Sequence, residues 1–466
     1  MKRSLTESQA ELKSLLLGLD KVLLEKAIEL ARRWYKAIVE KLDELIKKLR
    51  DKRLSIEHIR AAWYETCLGP VRVKRRQYRD KDGQYRYLLD ELLGMGRDHT
   101  VASVREVALE LASKMSYRGS AEVLRKTSAI DLSHQTIWRL LARVADPYLK
   151  KAELELRDFL ETGEIPEGEG RELARLLVEA DGVMLSLQRE RERRAEVKVG
   201  IAYEGWSEVS RDRYRTVNKT IFAEVAGWQE YWAGMSLKLQ KRYELSKVGE
   251  IIVGGDGARW IKEGVEYLGG RFQLDRYHLN RELCSALGKE GETRRRVREA
   301  CDKGQVELGL GILSEAMKKA QGEQARRLRK AYGYLSENSS GLGDYRQELG
   351  EEGKALRRTG AIEGNVDKLV VRRMKNQGMN WTIRGIRRLL CVRFLVLEGK
   401  LREWLHQGDN IRSKPILSRR RVRPVIGKTL KENPGDWLDV QLPALQGPHA
   451  SRPWAQVLKA LAEVPA

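Results

Sequence analysis

The sequence predicts an α/β protein: a mixed sheet forming the core, a mainly helical N-terminal region, and a helical insertion before the core is completed. Three observations predict it. Apolar runs of strand length cluster between residues 171 and 278, the stretches on either side carry apolar residues at three- and four-residue spacing, and at 466 residues the chain exceeds what one hydrophobic core holds together.

Residues 1–66 form the first helical region. Leu12, Leu15, Leu16, Leu19, Leu23, Ala27, Leu30 and Trp34 recur at helical spacing, and the helix is expected over residues 7–63. The stripe suits a partner helix and the chain's own core equally. Residues 67–150 follow as a basic hairpin and a helix-turn-helix-like region. Val71-Arg-Val-Lys-Arg-Arg-Gln-Tyr and Gln84-Tyr-Arg-Tyr-Leu alternate by twos around Asp80-Lys-Asp-Gly83, which predicts a hairpin. Its Arg72, Lys74 and Arg76 suit a phosphate backbone, although a solvated strand face reads the same way. Over Ser120–Leu141 a short helix, a break near Ala129-Ile-Asp131 and a cap at Ser133 predict two helices. The second offers His134, Gln135 and Arg139 to a major groove while Ile137, Leu140 and Leu141 face inward.

The first part of the core spans residues 171–278. Strands are expected at Leu176-Leu-Val, at Val197 to Ala202, from Thr220 to Val225, from Glu250 to Gly254 and at Arg271-Phe-Gln-Leu, with a helix over Trp228–Arg242. Three successive strands, then helix, strand, helix, strand, predict an antiparallel opening and a parallel return, the order of an RNase H-like core. Residues 279–358 read as a charged helical insertion. Residues 359–406 read as helices completing the core, and 407–466 as a basic C-terminal tail.

Asp181 and Asp256 each end a strand-like run. If their strands are parallel neighbours, both carboxylates emerge at the edge where open α/β sheets place sites. Divalent cations such as Mg2+ need oxygen ligands from separate elements. Glu363, at the edge of the stripe formed by Ile362, Val366, Leu369 and Val370, is the candidate third ligand, with Asp367 one turn later as its competitor. Asp275 and His278 lie three residues apart after the fifth run, so a helix starting there brings them together. A capping Asp with a packed His is the bland reading, and a histidine that touches a phosphate oxygen or the leaving strand is the functional one.

Lys+Arg number 89 against 67 Asp+Glu, a formal charge of +22, which implies a polyanionic partner and favours nucleic acid. The mean hydropathy of −0.54 and the lack of a long apolar run argue against a membrane span. Cys67, Cys284, Cys301 and Cys391 form no CxxC pair, so no zinc site or disulfide framework is expected. The N-terminus lacks the apolar core of a secretory signal, and a cytoplasmic, nucleoid-associated protein is expected. Gly254-Gly-Asp-Gly lacks the GxxxxGK[ST] pattern of a phosphate-cradling loop, which disfavours nucleotide hydrolysis.

The runs Val178-Glu-Ala-Asp-Gly-Val, Lys198-Val-Gly-Ile-Ala-Tyr-Glu-Gly-Trp, Gly254-Gly-Asp-Gly-Ala-Arg-Trp-Ile-Lys-Glu-Gly, Leu274-Asp-Arg-Tyr-His-Leu-Asn and Arg373-Met-Lys-Asn-Gln-Gly-Met-Asn-Trp stand out together. Through them the chain resembles bacterial insertion-sequence transposases of the DDE class, within the Mutator-like superfamily, and more closely the ISLre-type group. Gly69-Pro-Val-Arg-Val-Lys-Arg-Arg and Met115-Ser-Tyr-Arg match as well, so the likeness covers nearly the whole chain. It implies an acidic triad at Asp181, Asp256 and Glu363 holding two Mg2+ ions, with Mn2+ as substitute, and places Asp275 and His278 on the Asp-x-x-His element of the superfamily. It further implies cleavage at transposon ends and strand transfer into double-stranded DNA by a homo-oligomer. Met184 departs from the aromatic residue expected after the first Asp. Arg372, Arg373 and Lys375, just beyond Glu363, are expected to hold phosphates. The alternatives are a catalytically inactive DNA-binding regulator and another RNase H-like nuclease.

Overall fold

The structure is a computed structural model that describes residues 2–95, 99–166, 168–407 and 419–421. Its first helix, α1 (Lys2–Leu49), stops well short of residue 63. The expected helix gives way to a strand, β1 (Ser55–Thr66), which pairs antiparallel with β2 (Gly69–Arg79) from Thr66 against Gly69 to Ser55 against Arg79. The reason lies in burial: Val71 and Val73 need a partner strand on the face they present, and Tyr64 supplies it together with Val39 of α1. Gly69, at φ +88°, closes the turn so near Arg32 and the Ala129 carbonyl that a Cβ would not fit.

The hairpin expected around Asp80 is therefore the minor half of this sheet. Asp80 Oδ1 does accept from the backbone of Asp82 and Gln84 at 3.0 and 2.8 Å, but the downstream arm, β3 (Tyr85–Arg86), pairs only two residues with β2. Helices α2 (Ala102–Lys114), α3 (Tyr117–Thr127) and α4 (His134–Thr162) follow. Ser133 caps α4 as expected, its Oγ accepting from Thr136 N at 3.1 Å.

All five expected strands form one sheet. They are β4 (Arg175–Ser186), β5 (Arg194–Tyr203), β8 (Thr220–Glu224), β9 (Glu250–Gly255) and β10 (Arg271–Leu274), in the order β10-β9-β4-β5-β8. The first three run antiparallel in succession, while β9 lies parallel to β4 and β10 parallel to β9. A separate hairpin, β6 (Gly205–Ser210) with β7 (Arg213–Val217), interrupts the series between β5 and β8.

Strand β4 is apolar on both faces because both are covered, which is why it reads as a continuous apolar run. Leu176, Val178 and Ala180 pack on the side of α5 (Trp228–Gln240) and α6 (Arg259–Leu268). Leu177, Val183 and Leu185 pack on the other side, against Ile362 and Val366 of α11 (Ile362–Val366) and Ile386 of α12 (Ile383–Leu397). Between β10 and α11 the chain forms α7 (Arg276–Leu287), α8 (Glu292–Asp302), α9 (Val306–Lys319) and α10 (Gly322–Glu337) around their own core of Leu283, Val297, Leu313 and Leu335. The charged stretch after β10 is thus largely helical. No described helix is long and apolar enough to cross a membrane. The basic tail expected over 407–466 lies outside the described residues, apart from Gln407 and Arg419–Arg421, which pairs antiparallel with Glu164–Pro166.

Candidate active site

Strands β4 and β9 are the parallel neighbours that the two aspartates require. Asp256 directly follows β9. Asp181 does not end its strand, as expected, but sits in the middle of β4, which runs on to Ser186 against β5. Its neighbour on the other side stops first. The pairing of β9 with β4 ends at Gly254 and Glu179, and that register, carried two residues further, sets Asp256 opposite Asp181. The two carboxylates still share one edge. Asp181 Oδ1 accepts from Gly182 N at 2.7 Å, and Asp256 Oδ1 accepts from Ala258 N at 2.9 Å. The Tyr334 hydroxyl of α10 donates to the Asp256 carbonyl at 2.6 Å and ties the insertion to this loop.

A second group arrives on β10. Asp275 N donates to the Gly255 carbonyl at 2.8 Å, which pins the end of β10 beside Asp256. The same Asp275 caps α7, accepting from Tyr277 N at 3.2 Å, and one turn on the His278 Nδ1 lies 2.8 Å from Asp275 Oδ2. The other ring nitrogen, Nε2, lies 3.6 Å from Glu363 Oε1. Asp275 and His278 are buried, whereas the Glu363 side chain is 40% exposed. Asp275, His278 and Glu363 each offer a ligand atom, and these atoms all lie within 4.8 Å of one another, close enough for one cation.

Glu363 and not Asp367 faces this edge. Asp367 begins a π-helical stretch (Asp367–Lys375) and pairs with Arg372, five residues on, at 2.6 Å. The wider turn brings that pair together on the outside. What fixes Glu363 is a residue that sequence reasoning missed. Glu179, two residues before Asp181 on the same face of β4, is 1% exposed. Its carboxylate accepts from Gly360 N at 2.9 Å, Ala361 N at 3.2 Å and Ile362 N at 3.1 Å, and also from the Tyr203 hydroxyl. It thereby caps the helix that carries Glu363 and holds it at a set distance from Asp181. The signal in the sequence is a single charge inside Leu176-Leu-Val-Glu-Ala, a run otherwise apolar on both faces.

Burial pushes the Asp181 carboxyl up to about 6, and the charges of Glu363 and Asp256 push the same way against the Gly182 N–H and His278. Burial alone would lower His278, but the hydrogen bond and charge of Asp275 outweigh it and the imidazole is raised. Burial also raises Glu179 despite its four donors. The edge thus gathers carboxylates around one imidazole, and a donor set of oxygens with one imidazole fits a divalent cation.

Of the residues expected on DNA, Arg72 and Lys74 are exposed on β2, while Arg76 is committed to Asp43 of α1 at 2.6 Å. His134, Gln135 and Arg139 are exposed along the first turns of α4. Arg372 and Lys375 are exposed, the former in its pair with Asp367. Arg373 is a correction. It is 1% exposed, donates to the Ala112 carbonyl at 2.9 Å, and lies between the rings of Tyr117 and Trp381, so its charge joins α2 and α3 to the core and cannot reach a phosphate.

A family model described as an uncharacterised protein family, UPF0236, matches residues 11–408. A UPF0236 protein of Caldanaerobacter subterraneus subsp. tengcongensis is 28% identical over 393 residues, 82% of this chain and 77% of that protein. A second from the same organism, whose name joins eleven locus labels, is 28% identical over 82% of this chain and 76% of its own length. A relative in Streptococcus gallolyticus, named for the vanSb 3′ region, is 26% identical over 363 residues, 74% of this chain and 75% of its own.

Proposed function

The chain belongs to the UPF0236 family, and we propose that it is a DNA transposase of the DDE class, with an RNase H-like core that cleaves transposon ends and joins them to target DNA. The observation that carries the reading is the convergence of Asp181, Asp256 and Glu363 on one sheet edge, where burial first, and then the charges of the other two, raise the Asp181 carboxyl. Such a cluster costs folding free energy unless cations neutralise it, so its existence argues for a site that holds them. The strand order, an antiparallel opening followed by two parallel strands, supports the same reading. A relative whose name joins eleven loci agrees with an element that copies itself within a genome.

Asp181, Asp256 and Glu363 would hold two Mg2+ ions, or Mn2+ in their place. Bound there, the ions would supply Lewis acidity toward a phosphodiester and a nucleophile at neutral pH. The protein's own groups set the rest. Glu179 orders the Glu363 helix against β4, and Asp275 orients His278 so that Nε2 faces the site, where a protonated ring donates to a phosphate oxygen. His134, Gln135 and Arg139 would read a major groove, while Arg72, Lys74 and Lys375 hold backbone phosphates. The place of work would be the cytoplasm, at the nucleoid.

The test is to incubate the purified chain with Mg2+ and labelled DNA carrying the ends of its own element, beside Asp181→Asn, Asp256→Asn and Glu363→Gln. Metal-dependent cleavage and joining at those ends, absent in all three variants, is the expected result. Cutting without regard to end sequence would replace the transposase by a general nuclease. Specific binding without cutting would leave a regulator.

A further inference from the structure

Helix α1 has two apolar faces, and among the described residues its own chain covers only one. Tyr35, Val39, Leu42 and Ile46 pack on the β1–β2 sheet. The stripe that runs through Leu19, Leu23, Leu30 and Trp34 lies roughly a third of a turn away around the helix at ~100° per residue, and it continues through Ile38, Leu45 and Leu49. All seven side chains are exposed, Trp34 by 65% and Ile38 by 67%. Solvated apolar residues at this spacing over eight helical turns are not a feature of an ordinary surface helix.

We infer that this stripe is a self-pairing face on which a second copy of the chain docks its own α1, antiparallel, about a two-fold axis through Trp34. The register makes the case. Turning α1 about residue 34 sets Trp34 against Trp34, Leu30 against Ile38, Leu23 against Leu45 and Leu19 against Leu49, so each of the seven side chains of the stripe meets another, while the exposed Val22 and Leu24 lie off it. Of the charges within the stripe, Lys41 falls opposite Ala27, where there is room for its stem to reach the rim, and Asp20 falls opposite Lys48.

Charge and area agree. Lys26 and Glu44 lie on the same flank of the stripe, and an antiparallel pair brings the Lys26 of one copy beside the Glu44 of the other at both ends. In the single chain both are exposed, in surface pairs with Glu29 and Lys41 that hold them only weakly. The seven side chains leave on the order of 800 Å2 of exposed apolar surface per copy, about what each partner of a stable pair buries. A parallel pair would turn the two copies of this flank to opposite sides of the seam and leave Lys26 and Glu44 apart. The inference is independent of the catalytic reading.

The experiment uses the full chain with the two least buried cysteines, Cys67 and Cys284, changed to Ser. Sedimentation equilibrium should give twice the chain mass, and Trp34→Glu should give the chain mass with an unchanged circular dichroism spectrum. A short bismaleimide should join Trp34→Cys to itself and join Leu30→Cys/Ile38→Cys, but leave Leu30→Cys alone unjoined, because the two Leu30 positions stand about 12 Å apart along the axis at ~1.5 Å per residue. A monomeric parent, a dimer that survives Trp34→Glu, or cross-linking of Leu30→Cys alone would each overturn it.

Discussion

Replacing Asp181 by Asn should stabilise the metal-free protein while abolishing its response to Mg2+. Its carboxyl rises from an ordinary 3.8 to about 6 in the fold, first by burial and then through Glu363 and Asp256. At ~1.36 kcal/mol per pKa unit, this displacement costs the apo fold up to about 3 kcal/mol once the group ionises. The sign follows from proton binding. The folded state binds the proton more tightly than the unfolded chain, so the penalty is absent below the unfolded pKa, grows as pH rises through the window from about 4 to about 6, and is complete above it. Asparagine keeps the acceptor for Gly182 N and removes the charge. Thermal unfolding without metal at neutral pH should therefore rise by about 5 °C or more in Asp181→Asn, at ~2–4 °C per kcal/mol for a unit of this size. Near pH 4 the two proteins should melt together. Mg2+ at ~100 times its Kd should raise the wild type by about 2.7 kcal/mol and leave the variant unmoved. A variant that melts lower than wild type at neutral pH, or that gains as much from Mg2+, would refute the reasoning.

Three further outcomes follow from the same contacts. Glu179→Gln replaces one acceptor oxygen by a donor that faces backbone N–H groups of the Glu363 helix; it should destabilise by about 2–3 kcal/mol in denaturant titration and weaken Mg2+ binding, and unchanged metal affinity would show that Glu179 does not position Glu363. Arg373→Ala should lower the denaturation midpoint by the equivalent of about 3 kcal/mol, because it leaves the Ala112 carbonyl unpaired and a void between two rings, whereas Lys375→Ala should leave stability unchanged and reduce the salt dependence of DNA binding; the reverse pattern would restore Arg373 as a phosphate contact. Arg139→Ala should weaken binding to the element's ends by about tenfold without changing the melting temperature, on the ~1–3 kcal/mol scale of a base contact, and equal weakening on random DNA would reassign it to the backbone.

The legible parts of the fold are those whose burial shows in local pattern. Strands β4, β5, β8, β9 and β10 read as apolar runs because helices cover the sheet, and both aspartates could be placed from the strands that carry them. Where a segment is half covered the pattern misleads. Ser55–Thr66 buries few side chains and follows a long helix without a break, so β1 read as more helix, and the exposed hairpin β6–β7 gave no apolar alternation at all. Burial of an arginine is likewise invisible: Arg373 belongs to the same basic run as Arg372 and Lys375, and only its distant partners, Ala112 and Tyr117, distinguish it. The same holds for Glu179, whose partner Gly360 lies 181 residues away in the chain. The π-helical stretch after Glu363 keeps a helical rhythm of apolar residues, so the pattern alone does not separate Asp367 from Glu363; the pairing of Asp367 with Arg372 does.

The central claim concerns where cations sit, and anomalous diffraction from crystals of the chain with Mn2+ and an element-end DNA tests it most directly. The account predicts two peaks roughly 3.5–4 Å apart, touched by Asp181, Asp256 and Glu363, with His278 turned toward a phosphate oxygen. A single ion held by Asp275, His278 and Glu363, with Asp181 and Asp256 bare, would contradict it.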